Sequence, residues 1–464
     1  MKCILGSLTC VLILSTSTGQ AADDATPDRE RPRPDIVLVV SDDTTYHDFG
    51  CYGSPDARTP NIDRLASQGM RLTHCFTGTA MCAPTRQQLY TGLFPVRSGA
   101  YPNHSQVRDG VRSMVHHLGA LGYRVGLSGK THFGPKDSFP FERVGKHKIG
   151  AFLAAGDDPR PRCLVYCSNH AHAPWTAGDA SRYDPASLTL PPYLVDTPAM
   201  RRTQQHYLAE IGALDDEVGE LIEHVDDTGR ANDTIFIFTS EQGSGMPFAK
   251  WTCYDAGLRT ATVIRWPKRI EPGSVSDALV QYVDVLPTLV EAAGGDPEAI
   301  DTGIGGAPDG SRGFDGRSFL DVLVGQSDRH REVVFGIQTT RGIISGSKCY
   351  PIRSVRDGRY KLIRNLNHET AFKNLITRPN NPRHAYWQSW LERAEHDAHA
   401  ASAVRRYQYR PAVEFYDLEA DPHEMHNLAA DPTHAGRMAA LQEQLSAWMK
   451  QQGDEGIATE MKAD

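Results

Sequence analysis

A continuous run of five apolar residues, Ile36 to Val40, constrains the fold of this chain more than any other feature of its sequence. Most of the five are β-branched, and such runs are typical of strands buried on both faces of a parallel or mostly parallel sheet. Similar short runs recur at 124–127, 164–167 and 234–238, and an apolar stripe at helical spacing extends from Ile211 to Val225. Strands that alternate with helices predict an α/β sandwich, with helices on both faces of a mostly parallel central sheet.

The pattern changes beyond about residue 330, where strand-like segments at 332–335, 360–363 and 414–418 precede a closing helix over 432–451. These segments predict a smaller α+β subdomain, and the Gly- and Asp-rich stretch 303–316 before them is expected to be a surface loop. The predicted division of the chain is signal peptide 1–21, linker 22–34, main domain 35–328, C-terminal subdomain 329–452 and tail 453–464.

The first residues predict export. Lys2 precedes an apolar stretch over 4–14, and the small residues Gly19 and Ala21 have the spacing of a cleavage site, which together are typical of a secretory signal peptide. The apolar stretch is too short to span a bilayer. We therefore expect an exported protein, periplasmic or secreted, with no membrane span, whose Pro- and Arg-rich linker precedes the first strand.

Charge and cysteine content limit the kinds of partner and of cysteine site that this chain can have. A formal net charge of −8 gives no basic footprint, which argues against nucleic acid as a partner. Of nine cysteines, two leave with the signal peptide, and the seven that remain permit disulfides without requiring them in a chain of this size. Cys163 and Cys167 are four residues apart, but no second Cys or His pair completes a zinc pattern. Buried free cysteines or one local disulfide are expected.

Polar motifs follow four of the predicted strands at the points where they end. They are Asp42-Asp43 after the first strand, Gly129 to Gly134 after the second, Asn169 to Pro174 after the third, and Glu241 to Gly243 after the fourth. In open α/β sheets, ligands bind outside the carboxyl ends of the strands. The four motifs therefore predict one shared site.

Asp42, Asp43, Glu241 and Gln242 form an all-oxygen set of side chains. Adjacent carboxylates repel each other unless a cation lies between them, and oxygen ligands suit a hard ion such as Ca²⁺ or Mg²⁺ better than zinc. A lone Asp-Asp pair after a strand is more often a helix cap or a turn. The coincidence of four strand ends favours a metal site.

Cys82 opens the run CAPTRQQLYTG, which ends at Gly92. An isolated cysteine of this kind is usually a buried thiol beside a turn proline. Here, proline two residues on, Arg86 four residues on and Leu-x-Thr-Gly further on together closely resemble the signature of the type I sulfatases. In that family a dedicated maturation enzyme oxidises the cysteine to formylglycine (3-oxoalanine), an aldehyde whose hydrate attacks sulfur.

The resemblance covers nearly the whole mature chain, from about Asp35 to Leu445. It implies an alkaline-phosphatase-like α/β core with a small C-terminal antiparallel sheet. It also implies that a signature near the C-terminus, from Tyr416 to Ala429, belongs to the same family pattern.

Residue roles are carried over position by position from the resemblance. Cys82 would become the formylglycine nucleophile, Arg86 would hold its hydrate, Lys130 and Lys250 would bind the sulfate oxygens, His132 would assist regeneration of the aldehyde, and His172 would protonate the leaving oxygen or nitrogen. Asp42, Asp43, Glu241 and Gln242, with the modified Cys82, would bind Ca²⁺ or Mg²⁺. These residue types suit the reaction, because a departing sulfuryl group carries spread negative charge and histidine exchanges protons near neutral pH.

Segments outside the core motif resemble the heparan N-sulfatase branch, namely Lys130 to Pro135, Tyr350 to Val355 and Arg364 to Asn367. One pair departs from the family, which usually carries Asp followed by Asn or His where this chain has Glu241-Gln242. Each of these side chains is one methylene longer than in Asp-Asn, but both retain oxygen donors. The departure is compatible with an O-sulfatase acting on sulfated galactans rather than a sulfamidase.

The sequence leaves the sugar open. Candidate substrate-binding residues are His170 and Arg353, with Asn367 and the region 396–399 as further candidates. Three functions remain in competition: a sulfatase acting on a sulfated carbohydrate, a phosphonate or phosphate ester hydrolase of the same superfamily, and a catalytically inactive glycan-binding protein.

Overall fold

The computed structural model describes residues 33–154, 156–307 and 309–462 of the 464. The predicted signal peptide and most of the predicted linker lie outside these residues. Within them, no helix combines the length and the apolar character needed to cross a bilayer.

A nine-stranded sheet organises the larger part of the chain, and its strand order is β4-β3-β5-β1-β6-β7-β2-β8, with β9 paired to β2. The strands are β1 (Asp35–Val40), β2 (Met70–Phe76), β3 (Arg124–Gly129), β4 (Glu142–Arg143), β5 (Arg162–Cys167), β6 (Thr234–Thr239), β7 (Arg259–Arg265), β8 (Ser274–Ser276) and β9 (Val280–Gln281). Neighbours from β4 to β6 are all parallel, and β7 is antiparallel to both β6 and β2.

The side chains of β1 alternate between two hydrophobic cores, one on each face of the sheet. Val37 and Val39 belong to one core, whereas Ile36, Leu38 and Val40 belong to the other. A strand covered on both faces has no polar side, which is why its sequence is continuously apolar.

Helices cover both faces. They are α1 (Pro60–Gln68), α2 (Cys82–Thr91), α3 (Pro95–Ser98), α4 (Met114–Ala120), α5 (Ile149–Leu153), α6 (Pro198–Asp227), α7 (Asp255–Leu258), α8 (Val285–Ala292), α9 (Leu320–Leu323), α10 (Ala385–Ala394), α11 (Ala398–Gln408), α12 (Ala435–Gln452) and α13 (Ile457–Lys462). The predicted stripe from Ile211 to Val225 lies on α6 and is buried against one face, while α4 and α8 pack on the other. The predicted α/β fold is confirmed.

A second, four-stranded antiparallel sheet lies in the C-terminal part, in the order β10-β11-β12-β13. Its strands are β10 (Val334–Gln338), β11 (Ile352–Arg356), β12 (Tyr360–Asn365) and β13 (Val413–Asp417). The closing helix α12 packs its Leu441, Leu445 and Trp448 against this sheet. The antiparallel C-terminal sheet expected from the family resemblance is therefore present, and the exact domain boundaries stay a prediction.

The stretch after residue 452, predicted as a tail, contributes buried contacts. Asp454 forms an ion pair with Arg353 of β11, both side chains being almost completely buried. The guanidinium also donates to the carbonyl oxygens of Gln338, at 3.2 Å, and Ile352, at 2.9 Å. Arg353 thus has a structural role within the second sheet.

We expect Asp454→Asn to lower the free energy of unfolding by about 3 kcal/mol, because it leaves the buried Arg353 charge uncompensated. Urea titration would measure the change. Glu455→Gln is the matched control, since it breaks an exposed pair with Lys462 and exposed pairs contribute at most about 1 kcal/mol. Equal effects of the two substitutions would contradict a stabilising role for the Arg353 pair.

Seven cysteines lie in the described part of the chain, and all are free thiols there. Cys163 and Cys167 are buried on β5. The expectation of buried free cysteines is confirmed for Cys163 and Cys167, whereas Cys51 and Cys349 are partly exposed.

Candidate active site

The strand order brings the four predicted motifs to one edge of the sheet. β3, β5, β1 and β6 are consecutive and parallel, so the residues that follow them emerge side by side. The ladder continues past the strands: Ser41 N donates to Thr239 O at 3.0 Å, and Ser168 N donates to Val40 O at 3.0 Å. The motifs therefore leave the sheet in fixed positions.

Cys82 is the first residue of α2, and its side chain faces this edge. All ten residues of α2 are buried, and Cys82 is 3% exposed. Burial, together with the nearby charge of Glu241, raises the pKa of the Cys82 thiol to about 12. An unmodified Cys82 is therefore protonated at neutral pH and is a poor nucleophile.

Three carboxylates surround the Cys82 sulfur. One ligand atom each from Asp42, Asp43, Cys82 and Glu241 lie within 4.8 Å of one another. The Gln242 amide completes the group: its Nε2 donates to Asp43 Oδ1 at 2.5 Å and to Glu241 Oε2 at 3.1 Å, and it lies 3.5 Å from Cys82 Sγ. Four of the predicted metal ligands and the predicted nucleophile are thus one cluster.

Each carboxylate is paired with a cation. Lys130 Nζ donates to Asp42 Oδ2 at 2.7 Å, and Lys250 Nζ donates to both oxygens of Asp43 at 2.7 Å. Arg86 forms an ion pair with Glu241, and both side chains are fully buried. Arg86 follows Cys82 by one helical turn, which is why the helix delivers both to the same place.

Burial raises the pKa values of the three carboxyl groups, whereas the neighbouring cations lower them. Burial, reinforced by Glu241, raises the pKa of Asp42 well above its usual value. Burial also acts to raise the pKa of Asp43, but the Lys250 and His172 charges outweigh it and the pKa falls below its usual value. The same opposition holds for Glu241, whose pKa is driven well below its usual value by Arg86 and Lys130.

The donor set fits a hard divalent ion. Asp42 Oδ1 and Gln242 Oε1 are buried and lack a hydrogen-bond partner among the described residues. Buried oxygens without a partner are costly, and an oxygen-seeking cation bound at the carboxylate cluster would satisfy Asp42 Oδ1. Glu241 keeps a carboxylate at the cluster despite its extra methylene, whereas Gln242 turns its amide nitrogen toward Asp43 and Glu241.

Two histidines line the opening above the cluster. His172 Nε2 lies 3.8 Å from Asp43 Oδ2, and its Nδ1 lies 2.9 Å from the carbonyl oxygen of Ala173. His132 Nε2 lies 2.8 Å from His104 Nδ1. Burial, strengthened by the Lys130 charge, lowers the pKa of His132 to about 4, so the ring is neutral at pH 7.

A cavity of about 410 Å³ opens onto these groups. Its lining comprises Asp42, Cys82, Asn103, His104, Lys130, His132, Asn169, His172, Lys250, Trp251, Gly342, Ile343, Ile344, Leu375 and Arg383. This volume lies within the range of small-molecule sites, roughly 300–1,000 Å³.

The predicted substrate-binding residues are not at this cavity. His170 Nδ1 lies 3.0 Å from Glu210 Oε2 and its Nε2 lies 3.5 Å from Glu217 Oε1, so the ring is held against α6. Arg353 is buried against Asp454. Asn367 donates to the carbonyl oxygen of Cys349, and the region 396–399 does not line the cavity. Both side chains contact internal partners, so the structure gives no support to His170 or Arg353 as substrate-binding residues.

Several lining residues were not predicted, notably His104, Trp251, Ile344 and Arg383. Trp251 follows Lys250 directly, and this position next to a predicted site residue is the sequence feature from which its place at the cavity could have been predicted. His104 and Arg383 lie in segments that follow no recognisable strand, so their position depends on tertiary packing alone.

Comparison with known families and proteins gives consistent matches. The sulfatase family model matches residues 34–156 and 146–295. A second family, described as the C-terminal part of N-sulphoglucosamine sulphohydrolase, matches residues 243–388. An ulvan-active sulfatase of Formosa agariphila is 32% identical over 441 residues, covering 91% of this chain and 81% of the relative. Human N-sulphoglucosamine sulphohydrolase is 28% identical over 475 residues, covering 90% of each chain.

Solved structures share the fold at lower identity. A protein solved in complex with its substrate D-glucosamine-2-N,6-O-disulfate has a TM-score of 0.67 and 20% identity, covering 92% of this chain and 99% of that one. A phosphonate monoester hydrolase of Agrobacterium radiobacter has a TM-score of 0.65 and 17% identity, covering 92% of this chain and 97% of that one. At such identity the likeness shows a common fold.

Proposed function

Because the chain belongs to the sulfatase family, we propose that it removes sulfate from a sulfated carbohydrate by means of a formylglycine made from Cys82. The enzyme is a sulfatase, a hydrolase of sulfate esters. One observation carries the mechanistic proposal: Cys82 lies among three carboxylates, two lysines and an arginine, yet its own thiol is protonated. These surroundings suit a nucleophile that attacks an anionic substrate. The protonated Cys82 thiol is not such a nucleophile.

Formylglycine at position 82 would supply a hydroxyl nucleophile through its hydrate, and a maturation enzyme would have to make it. Arg86 would orient that group from one helical turn away. Lys130 and Lys250 would bind the sulfate oxygens and neutralise the charge that spreads over the departing group. His172, at the opening, would donate a proton to the leaving atom, while the neutral His132 would accept one when the aldehyde is restored.

A divalent ion would be held by Asp42, Asp43, Glu241 and Gln242, and it would supply Lewis-acid stabilisation of negative charge. Ca²⁺ is proposed because the donors are all oxygens, with Mg²⁺ as the alternative. The support is the unpartnered oxygen Asp42 Oδ1 at the carboxylate cluster.

We expect Ca²⁺ to stabilise the protein against unfolding. At a free concentration of about a hundred times the dissociation constant, binding to the folded state alone adds about 2.7 kcal/mol. Thermal unfolding with Ca²⁺ and with EDTA measures the shift. Asp42→Asn should abolish the shift, whereas Asp216→Asn, at an exposed aspartate outside the cluster, should leave it intact. The same shift in both variants would place the bound ion elsewhere.

The carbohydrate is proposed as a sulfated glycan, with cleavage of either an S–O or an S–N bond. The match to the C-terminal family of N-sulphoglucosamine sulphohydrolase supports N-sulfated glucosamine. The ulvan-active relative, which is more similar to this chain, supports an O-sulfated polysaccharide, as does the departure at Glu241-Gln242. Both alternatives keep the same nucleophile and metal site.

A panel of defined sulfated sugars, scored for free sulfate, tests the proposal. Release from glucosamine N-sulfate alone would identify a sulfamidase, and release only from O-sulfated galactose or ulvan fragments would identify an O-sulfatase. Faster turnover of an aryl phosphonate than of the matched aryl sulfate would favour the phosphonate hydrolase, whose fold is shared. Binding of sulfated sugars without release of sulfate or phosphonate would support the inactive glycan-binding protein.

Export is proposed with the same function. The segment over 1–21 has the features of a signal peptide, and a glycan-degrading enzyme meets its polymer in the periplasm or outside the cell. Mass spectrometry of the mature N-terminus would test cleavage after Ala21.

A further inference from the structure

One cation at the catalytic cavity has no ion pair within the described residues. Among the lining side chains, Lys130 and Lys250 bind Asp42 and Asp43, and His172 lies near Asp43. Arg383 also lines the cavity, yet no carboxylate lies within ion-pair distance of its guanidinium in the described part of the chain. Asp42 is the acidic residue of the described lining, and it is already paired.

The backbone that carries Arg383 is firmly held. Arg383 lies in a short 3-10 turn, Pro382–His384. Asn381 Nδ2 donates to the carbonyl oxygen of Leu375 at 2.9 Å, and the buried His384 ring lies 3.0 Å from Tyr386 Oη. Tyr386 in turn reaches the carbonyl oxygen of Gly245, in the loop that carries the metal-binding cluster and Lys250. The turn is therefore fixed relative to the reacting centre.

Part of the cavity wall is apolar. Ile343, Ile344 and Leu375 line the same cavity, and Ile344 is 61% exposed although it is a large hydrophobic residue. Apolar neighbours exclude water from a charged pair and strengthen it. The Arg383 side chain is exposed, so its guanidinium can meet a ligand in a cavity whose lining is partly apolar, and an unpaired guanidinium in such a cavity can bind an anionic group of a sugar.

We propose that Arg383 binds a second anionic group of the glycan, separate from the sulfate that is removed. The group is a carboxylate or a sulfate, because the planar guanidinium can donate two parallel hydrogen bonds to either. The substrate is accordingly a glycan with at least two anionic groups, and Arg383 is a specificity-determining residue. This inference rests on the proposed function and deepens it.

Binding to Cys82→Ala, which holds substrate without turnover, tests the inference by calorimetry. One ligand pair is a uronate–glucosamine N-sulfate disaccharide and its methyl ester, which differ only in the carboxylate charge. The other pair is glucosamine 2-N-sulfate and glucosamine 2-N,6-O-disulfate, which differ only in the second sulfate. We expect one doubly anionic ligand to bind more tightly than its partner, by about tenfold. The pair that shows the difference identifies the anionic group.

Adding Arg383→Ala should remove that preference and leave the affinity for the singly anionic partner within about twofold. Arg383→Lys should keep part of the preference, because the charge stays while the two-point geometry is lost. Arg378→Ala is the matched control, an exposed arginine in the same segment that lies outside the catalytic cavity. It should change neither affinity.

Three outcomes would overturn the inference: no preference in either ligand pair, a preference that survives Arg383→Ala, or an equal loss for both members of a pair. Failure of the proposed function is seen separately, as absence of sulfate release from the sugar panel by the enzyme with formylglycine. Sulfate release with no effect of Arg383→Ala on binding would leave the sulfatase function intact and refute the role of Arg383.

Discussion

Cys82→Ala is expected to lower the rate of sulfate release by roughly 10⁴-fold or more, because the methyl group of alanine cannot be converted to the aldehyde whose hydrate is the proposed nucleophile. The substitution shortens a buried side chain at the start of α2 and leaves the carboxylates and lysines in place. Activity is measured as free sulfate from the substrate that the panel identifies. Metal-dependent stabilisation should persist in the variant, which separates loss of chemistry from loss of fold.

Cys163→Ala is the matched control for this change. Cys163 is also fully buried, but it lies at the start of β5, away from the edge where the ligands collect. Its replacement should preserve the rate of sulfate release. In the parent protein made with a maturation enzyme, the peptide containing residue 82 should be about 18 Da lighter than the thiol form. Full activity in a sample that contains only the thiol would contradict the formylglycine mechanism.

Glu241→Gln is expected to lower the free energy of unfolding of the metal-free protein by about 3 kcal/mol. Arg86 and Glu241 form an ion pair with both side chains fully buried. Removing one partner of such a pair leaves the other charge in a medium that solvates it poorly. Urea titration in EDTA measures the loss. The same change should weaken Ca²⁺ binding, because one charged oxygen ligand becomes neutral.

Two further variants make this result interpretable. Glu241→Asp keeps the charge and restores the shorter side chain usual in the family, so it should be less destabilising than Glu241→Gln. Glu142→Gln breaks the pair with Arg124, which is partly exposed, and should cost at most about 1 kcal/mol. A loss as small for Glu241→Gln as for Glu142→Gln would mean that the buried pair contributes little.

The central strands were predictable because burial on both faces demands uninterrupted apolar sequence. The predicted runs at 36–40, 124–127, 164–167 and 234–238 each lie inside an observed strand. β7 was not predicted, because it buries Thr260, Thr262 and Arg265 among its apolar residues. These polar groups find partners, such as Thr239 Oγ1 at 2.7 Å from Thr262 Oγ1. A search for runs of apolar residues misses a buried strand whose polar side chains have hydrogen-bond partners.

The reacting groups were predictable for a topological reason. A side chain directly after a parallel strand has little freedom, so Asp42 and Glu241 could be assigned to one edge from adjacency alone. Position next to a strand end did not predict the direction in which a side chain points, and the 169–174 motif is the example. Ala171 adopts a left-handed backbone (φ 72°) between His170 and His172. The two histidines consequently face different partners, and only His172 reaches the cavity.

The outer wall was not predictable from the sequence. Arg383 and Ile344 come from the part of the chain beyond residue 340, and each reaches the cavity through contacts between segments distant in sequence. His104 lies between α3 and α4, and it too follows no strand. Such positions depend on how loops pack, which neither periodicity nor spacing encodes.

The complete burial of α2 has a consequence for biosynthesis. Once the chain has folded, every residue from Cys82 to Thr91 is buried. Cys82 faces the catalytic cavity, which admits a small molecule, but the helix cannot enter the binding cleft of a second enzyme. The oxidation proposed for Cys82 must therefore precede folding, and a molecule that folds first would keep the unreactive thiol. We expect purified maturation enzyme to leave the mass of folded thiol protein unchanged, but to convert chains that it meets during refolding. The active fraction of a preparation would thus depend on how much of the chain was oxidised before it folded, and not on how the folded protein was stored.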